Sequence, residues 1–227
     1  MWDEFALIIG ACLLGSFPFI YLMGRVQGID LRKYDDMHLG LWQNVGRIQG
    51  FIGAGFDFAK GVIVVLSARA AGFDTGWVAF AGVAAVAGQM WPIFMKFKGE
   101  KGNTTGLAMA GTLATTAMLI GLIPFAIGFG IRTIPRFIKK EQSMDDRFKF
   151  GGPPSLSLPL GVAIGFAVFP LAAWLTGQPS EVVVAFTGLF VMIIIRRVHA
   201  GVGEMWQQSP GRARMILNLA LFDRPRL

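Results

Sequence analysis

GLAMAGTLATTAMLIGLIPFAIGFGI, residues 106–131, carries no charged side chain over 26 positions. A helix needs roughly 20 mostly apolar residues to cross the hydrocarbon core of a bilayer. As one straight helix this run would be about 39 Å long, more than one crossing needs and thin for two. Whether it crosses once or twice decides the topology of everything around it. Five other apolar runs flank it, at 5–24, 51–72, 76–95, 159–176 and 182–195, and only the second contains charge, at Asp57 and Lys60 and, near its end, Arg69.

The cations test the parity. All of the 21 Lys and Arg except Lys60 and Arg69 fall in four segments: 25–50, 96–105, 132–152 and 196–227. Asp3, Glu4, Asp74 and Glu181 fall at the opposite ends of the runs. Short loops rich in Lys and Arg stay in the cytoplasm, and six crossings would force one of the last two basic segments outside. The conflict disappears if 106–131 crosses twice, as two short helices meeting near Thr115 and Thr116. The rival is one tilted helix with an imperfect charge rule. The expectation is therefore an all-α, polytopic integral membrane helical bundle of seven transmembrane helices, N-terminus out and C-terminus in. It is one domain, 1–227, with a basic cytoplasmic insert at 132–152 and a basic cytoplasmic tail at 196–227.

Composition agrees. Of the 227 residues 54% are hydrophobic and only 15% charged, against about a quarter in soluble domains. The net charge of +7 sits at membrane edges, which argues against a nucleic-acid partner. The single cysteine, Cys12, reads as a small packing residue, and Met1-Trp2-Asp3-Glu4 lacks the positive start of a cleaved signal peptide. Many of the 30 glycines lie inside runs, where small residues let membrane helices approach closely.

Three stretches could carry chemistry. In Lys96-Phe97-Lys98-Gly99-Glu100-Lys101-Gly102-Asn103-Thr104-Thr105-Gly106, glycines allow tight turns, lysines supply charge, and a helix start faces the loop. That is a plausible phosphate cradle, though not a Walker loop. Asp57 and Lys60, spaced i and i+3, share a helix face and can pair, as a structural ion pair or as part of a substrate site. The polar stretch 28–47 holds Asp35, Asp36 and His38. His38 and His199, the two histidines of the chain, fall at the same membrane face and could form an acid/base set or a weak metal site with those carboxylates. No spacing typical of a metal site occurs, so a solvated loop is the default reading of each residue alone.

Read together, these pieces resemble the bacterial acyl-phosphate:glycerol-3-phosphate acyltransferases, the PlsY type. Gly15-Ser16-Phe17-Pro18-Phe19-Ile20-Tyr21-Leu22 is similar to that family's Gly-Ser-Ile-Pro-Phe-Gly-Tyr-Leu. Phe56-Asp57-Phe58-Ala59-Lys60-Gly61 matches its Leu-Asp-x-x-Lys-Gly. Ala87-Gly88-Gln89-Met90-Trp91-Pro92, continuing through Ile93-Phe94-Met95-Lys96-Phe97-Lys98-Gly99-Glu100-Lys101-Gly102, resembles Ala-Gly-His-x-Trp-Pro-x-Phe-x-x-Phe-Lys-Gly-Gly-Lys-Gly. The departures are specific. Asp36, Met37 and His38 stand where the family has serine, glycine and asparagine; Gln89 replaces a histidine and Glu100 a glycine. The family's His-Arg-x-Asn becomes Arg196-Arg197-Val198-His199.

The resemblance implies transfer of a fatty acyl group from acyl phosphate to glycerol 3-phosphate, giving lysophosphatidic acid for phospholipid synthesis without a metal or organic cofactor, in a bacterial inner membrane with the active face cytoplasmic. It implies phosphate binding by Arg47, Lys98, Gly99, Lys101 and Gly102, a supporting pair in Asp57 and Lys60, and acceptor activation by His38, Asn44 and His199. The alternative is a divergent paralogue without catalysis, a lipid-binding or assembly membrane protein. A transporter is disfavoured, because the polar residues collect at one face and no internal repeat is seen.

Overall fold

The computed structural model describes residues 2–34, 36–138, 147, 155–202 and 211–224, and all its regular structure is helical. Asp35, Lys139, Lys140 and Lys149 of the basic segments, and Arg226 of the tail, lie outside the described residues. The helices are α1 (Trp2–Ser16), α2 (Phe19–Val26), α3 (Met37–Asn44), α4 (Arg47–Ala70), α5 (Thr75–Met90) and α6 (Asn103–Leu113). They continue as α7 (Thr115–Ile138), α8 (Ser157–Leu175), α9 (Ser180–Val202) and α10 (Arg212–Phe222). Among the described residues six segments are long and apolar enough to cross a membrane: 2–26, 47–70, 75–95, 115–138, 157–175 and 180–202.

The first apolar run is broken into α1 and α2. Pro18 has no N–H to continue a helical ladder, and the freed carbonyls of Gly15 and Phe17 instead accept from the Lys60 ammonium at 3.3 and 2.8 Å. The run at 106–131 is broken too, at Ala114, one residue before the point expected from the charges. It also starts earlier and ends later than its apolar core. The 11-residue α6 is only about 16 Å long.

Side-chain contacts give the direction of each helix. Thr105 bonds to Asp57 and Arg69 to Thr112 and Leu113, so α6 runs parallel to α4. Gln89 meets Asp57 while the Cβ position of Gly82 lies 3.5 Å from Val65, so α5 runs antiparallel to α4. Trp91 meets His199 and Gly76 meets Glu181, so α5 and α9 are parallel. The loops around His38, Lys98 and His199 therefore share one end of the bundle.

Two corrections concern the basic segments. The insert placed at 132–152 begins inside α7, which runs on through Arg132 and Arg136 to Ile138. Long cationic side chains lie along apolar stems and do not end a helix. Likewise Arg196 and Arg197, read as the start of a tail, belong to α9 and are buried at 8% and 2% exposure.

Glycine sets the closest contacts. A Cβ on Gly15 would lie 2.0 Å from the Ala85 carbonyl oxygen, one on Gly88 2.1 Å from that of Cys12, so α1 and α5 touch backbone to backbone beside Cys12. Along α7 and α8 the same holds. A Cβ on Gly128 would be 2.4 Å from the Ser157 carbonyl oxygen, and one on Gly161 2.5 Å from that of Pro124. Lipid tails provide no hydrophobic drive for helix association, so this close packing must supply it. Outward, Ile9, Leu13, Ile63, Leu66, Ile123 and Ile127 are exposed, as a lipid-facing surface requires.

Gly161→Leu forces α7 and α8 apart and costs about 1–3 kcal/mol, as overpacking does; Gly188→Leu, whose Cβ meets nothing within 4 Å, costs little. Apparent Tm in detergent checks this, and equal Tm values for the two variants would refute the glycine contact.

Candidate functional site

The site is assembled around Asp57, on the buried face of α4. Its carboxylate pairs with the Lys60 ammonium at 2.8 Å, one turn along the same helix, and accepts from the Gln89 amide of α5 at 2.7 Å. His38, on the short helix α3, places Nε2 3.2 Å from the same carboxylate. The Thr105 hydroxyl of α6 donates to the Asp57 backbone carbonyl at 2.6 Å. Asp57 and Lys60 are 2% and 3% exposed. An unpaired charge at such a position would be severely destabilising, and here each charge has an opposite charge and further hydrogen bonds. The i, i+3 pair read from the sequence is thus one edge of a larger network.

Glu100 enters the network from the lysine–glycine loop. Its Oε1 accepts from the Met37 amide at 3.0 Å, at the first turn of α3, next to His38. The Asp36 carboxylate caps that helix by accepting from the Leu39 amide. Burial pushes the Glu100 carboxyl up to about 7, with the charges of Asp36 and Asp57 adding to it. Burial pulls the His38 imidazole down, but its hydrogen bond to Asp57 and the charges of Glu100, Asp57 and Asp36 outweigh it and raise it above the ordinary value. His38 Nδ1, Ser16 Oγ and Gln89 Oε1 are buried without a hydrogen-bond partner. Ser16 and Gln89 line a narrow cleft with Asp57, Lys60, Gly99 and Glu100. Its free space is about 20 Å³, room for a water and little more.

The loop itself is held by close packing and by Arg196. A Cβ on Gly99 would lie 2.1 Å from the Gln89 carbonyl oxygen and 2.3 Å from Pro92, and Gly102 adopts φ +74°, the left-handed region that favours glycine. Arg196 donates to the carbonyls of Gly99 and Glu100 at 2.6 and 3.2 Å, fixing the loop from α9. Lys98 is exposed, and Lys101 pairs with Asp223 at 2.5 Å. The first turn of α6 follows Gly102 directly, and no side chain caps it, an end suited to an anion. Lys96 and Phe97 also take positive φ, 53° and 63°.

The remaining sequence candidates are more scattered. His199 is exposed and accepts from the Trp91 indole at 3.2 Å, tying the end of α9 to the start of the loop. Asn44 is exposed and spends its amide on the Gly40 carbonyl, closing α3. Arg47 opens α4 and is exposed, about 15 Å along the helix axis from Asp57. Asp30 binds the Arg32 guanidinium through both oxygens and caps a 3₁₀ turn, apart from the network. Among the described residues no group of His, Cys, Asp and Glu could hold a metal. Sequence reasoning missed Gln89, Thr105, Arg196 and Asp223. Gln89 and Arg196 could have been found, because both are departures from the motif they occupy.

Beside the polar cleft runs a wider, apolar groove of about 390 Å³, lined by Phe17, Phe19, Leu22, Met23 and Val26 with Gln27 and Gln49. Phe17 and Phe19 belong to both, so a polar and an apolar compartment meet at the break between α1 and α2.

Comparison with known proteins places this geometry. The family model described as glycerol-3-phosphate acyltransferase matches residues 5–208. The chain is 28% identical over 222 residues to glycerol-3-phosphate acyltransferase 4 of Dehalococcoides mccartyi (strain CBDB1), covering 93% of this chain and 85% of that one. It is 32% identical over 172 residues to glycerol-3-phosphate acyltransferase 1 of Deinococcus radiodurans, covering 74% and 84%. Among solved structures, PlsY, an integral membrane glycerol 3-phosphate acyltransferase in its glycerol 3-phosphate form, shares the fold. The TM-score is 0.67 at 24% identity, over 99% of this chain and 96% of that one.

The titrating pair sets a pH dependence. Glu100 holds its proton in the folded state to about 7, against 4.5 as a free side chain, so stability falls as pH rises through that window. The stabilisation from protonated His38 is complete below 6.5, its ordinary value, and is lost as pH rises past its higher folded value. Both act in one direction. Apparent Tm is expected to fall from pH 5 to pH 8, and Glu100→Gln to flatten the part below pH 7. Parallel profiles for the two proteins would show that the carboxyl titrates normally.

Proposed function

We propose, for a chain that belongs to the glycerol-3-phosphate acyltransferase family, that it acylates glycerol 3-phosphate in membrane phospholipid synthesis, using an acyl phosphate as donor. The observation that carries this is the junction of compartments at Phe17 and Phe19. The apolar groove suits an acyl chain, and the polar cleft beside it leads to the lysine–glycine loop. An acyl group held at that junction has its carbonyl beside the cationic loop and its tail in the groove.

Lys98 and Lys101, the amides around Gly99 and Gly102, and the uncapped start of α6 bind phosphate, with Arg47 at the mouth drawing anions in. His38 is the general base. With Nε2–H donating to Asp57, Nδ1 is left to take the proton of the acceptor hydroxyl, an arrangement in which a carboxylate orients the imidazole and stabilises its protonated form. The hydroxyl oxygen then bonds to the acyl carbon while the acyl–phosphate C–O bond breaks, and phosphate leaves with its electron pair. Cations already in place favour that charge without reorganisation. Asn44 and His199 position the elements around the acceptor: Asn44 through the end of α3, His199 through Trp91. In this reading α6 counts as a crossing with α7, giving seven. The N-terminus is outside, the C-terminus inside, and the site faces the cytoplasm of the inner membrane, as the basic loops at the site's end of the bundle support.

The test is turnover in lipid vesicles with an acyl phosphate and labelled glycerol 3-phosphate. Labelled lysophosphatidic acid is expected, with kcat/KM in Lys101→Ala reduced by about tenfold or more, a loss of about 1.4 kcal/mol or more. In the unmodified protein kcat/KM rises with pH as His38 loses its proton, and in His38→Gln that rise disappears. No product from any acyl phosphate, with lipid binding intact, would favour the non-catalytic alternative.

A further inference from the structure

The C-terminal helix α10 lies beyond residues 5–208, the part that the family model matches. It is docked, not loose. Met215, Asn218 and Leu219 are buried, and Leu219 packs so closely on α9 that a Cβ on Gly201 would lie 2.1 Å from it. The guanidinium of Arg197, 2% exposed, donates to the carbonyls of Ala220 and Leu221 at the end of α10 and to that of Pro159 at the start of α8. A cation at this position suits both the free carbonyls and the negative end of the helix dipole. The chain then turns at Asp223, a non-glycine residue with φ +56°, and the Asp223 carboxylate reaches the Lys101 ammonium at 2.5 Å.

Lys101 is the lysine that the proposed function assigns to phosphate, and the inference rests on that assignment. We propose that α10 is a latch: its Asp223 carboxylate occupies on Lys101 the place of a substrate phosphate oxygen, so that a phosphorylated ligand must displace it. The pair is suited to exchange. Its side chains are 24% and 20% exposed, so one side of the pair is accessible to a small anion from solution while the rest is covered. The anchor behind it, Arg197 and Leu219, is buried and keeps the carboxylate within reach when the pair opens. The competing view is that Asp223 only fastens the tail. That view predicts lower stability without Asp223 and no change in anion affinity.

The test uses the full chain in nanodiscs and inorganic phosphate as probe, by isothermal titration. Asp223→Asn should bind phosphate about fivefold more tightly, because the competent state no longer has to be released from its own carboxylate. Leu219→Ala, which loosens the docking without touching the pair, should shift affinity the same way, and Lys101→Ala should abolish binding in either background. Unchanged or weaker phosphate binding in a folded Asp223→Asn overturns the latch, as does undetectable binding in both unmodified and Asp223→Asn protein. Tighter binding in Asp223→Asn without acyl transfer would uphold the latch and sink the assigned reaction. Acyl transfer with unchanged phosphate affinity would do the reverse.

Discussion

A carboxylate buried in a helix that crosses a membrane has to be matched, and Asp57 organises the protein because four elements meet the demand. Lys60 supplies the opposite charge, Gln89 and His38 share the remaining oxygen, and Thr105 takes the backbone carbonyl. Lys60 in turn stabilises the broken end of α1 at Pro18. Removing any one partner leaves a polar group stranded at low dielectric, where it costs most. The network therefore fixes, at one point, the positions of α1, α3, α4, α5 and α6, which are the helices that form the walls of the cleft.

Much of the scaffold was legible in the chain. Runs of apolar residues and the placement of nearly all cations gave the long helices and the break in the 106–131 run, because hydrophobic length and interfacial charge are local properties. The position of that break, Ala114, and the end of α7 at Ile138 were less accessible. A helix does not stop where its residues turn polar if long cationic stems can lie along it. Arg196 and Arg197 misled for a related reason: they look like membrane-edge anchors, yet they are buried and bind carbonyls of the loop and of α10. Charge alone does not reveal whether a cation faces lipid headgroups or the ends of neighbouring helices.

The site was legible residue by residue but not as a set. His38, Gln89 and Glu100 each depart from the family pattern, and in sequence they lie on three separate segments. In space they meet around Asp57 and the Met37 amide. Asp36 closes the same helix that carries His38, and Arg196 holds the loop that carries Glu100. Five departures that could be read as erosion of a site are instead held by contacts of the fold: the new Glu100 carboxylate accepts from the Met37 amide, His38 and Gln89 both reach Asp57, Asp36 caps α3, and the new arginine binds loop carbonyls. Sequence separation hides this kind of compensation, since it exists only in the folded contacts.

The shortness of α6 has a consequence for traffic. Because α6 begins level with Asp57 and not with the start of α4, its cationic entrance is sunk into the body of the bundle instead of resting at the water line. In the proposed reaction, a product with an ionic head and a hydrocarbon tail has to satisfy both ends at once while leaving such a recess. The apolar groove past Phe19 and Val26 meets the polar cleft at Phe17 and Phe19, beside that recess. In that reaction the tail would follow the groove and the head the polar cleft, so that neither end has to cross a medium hostile to it.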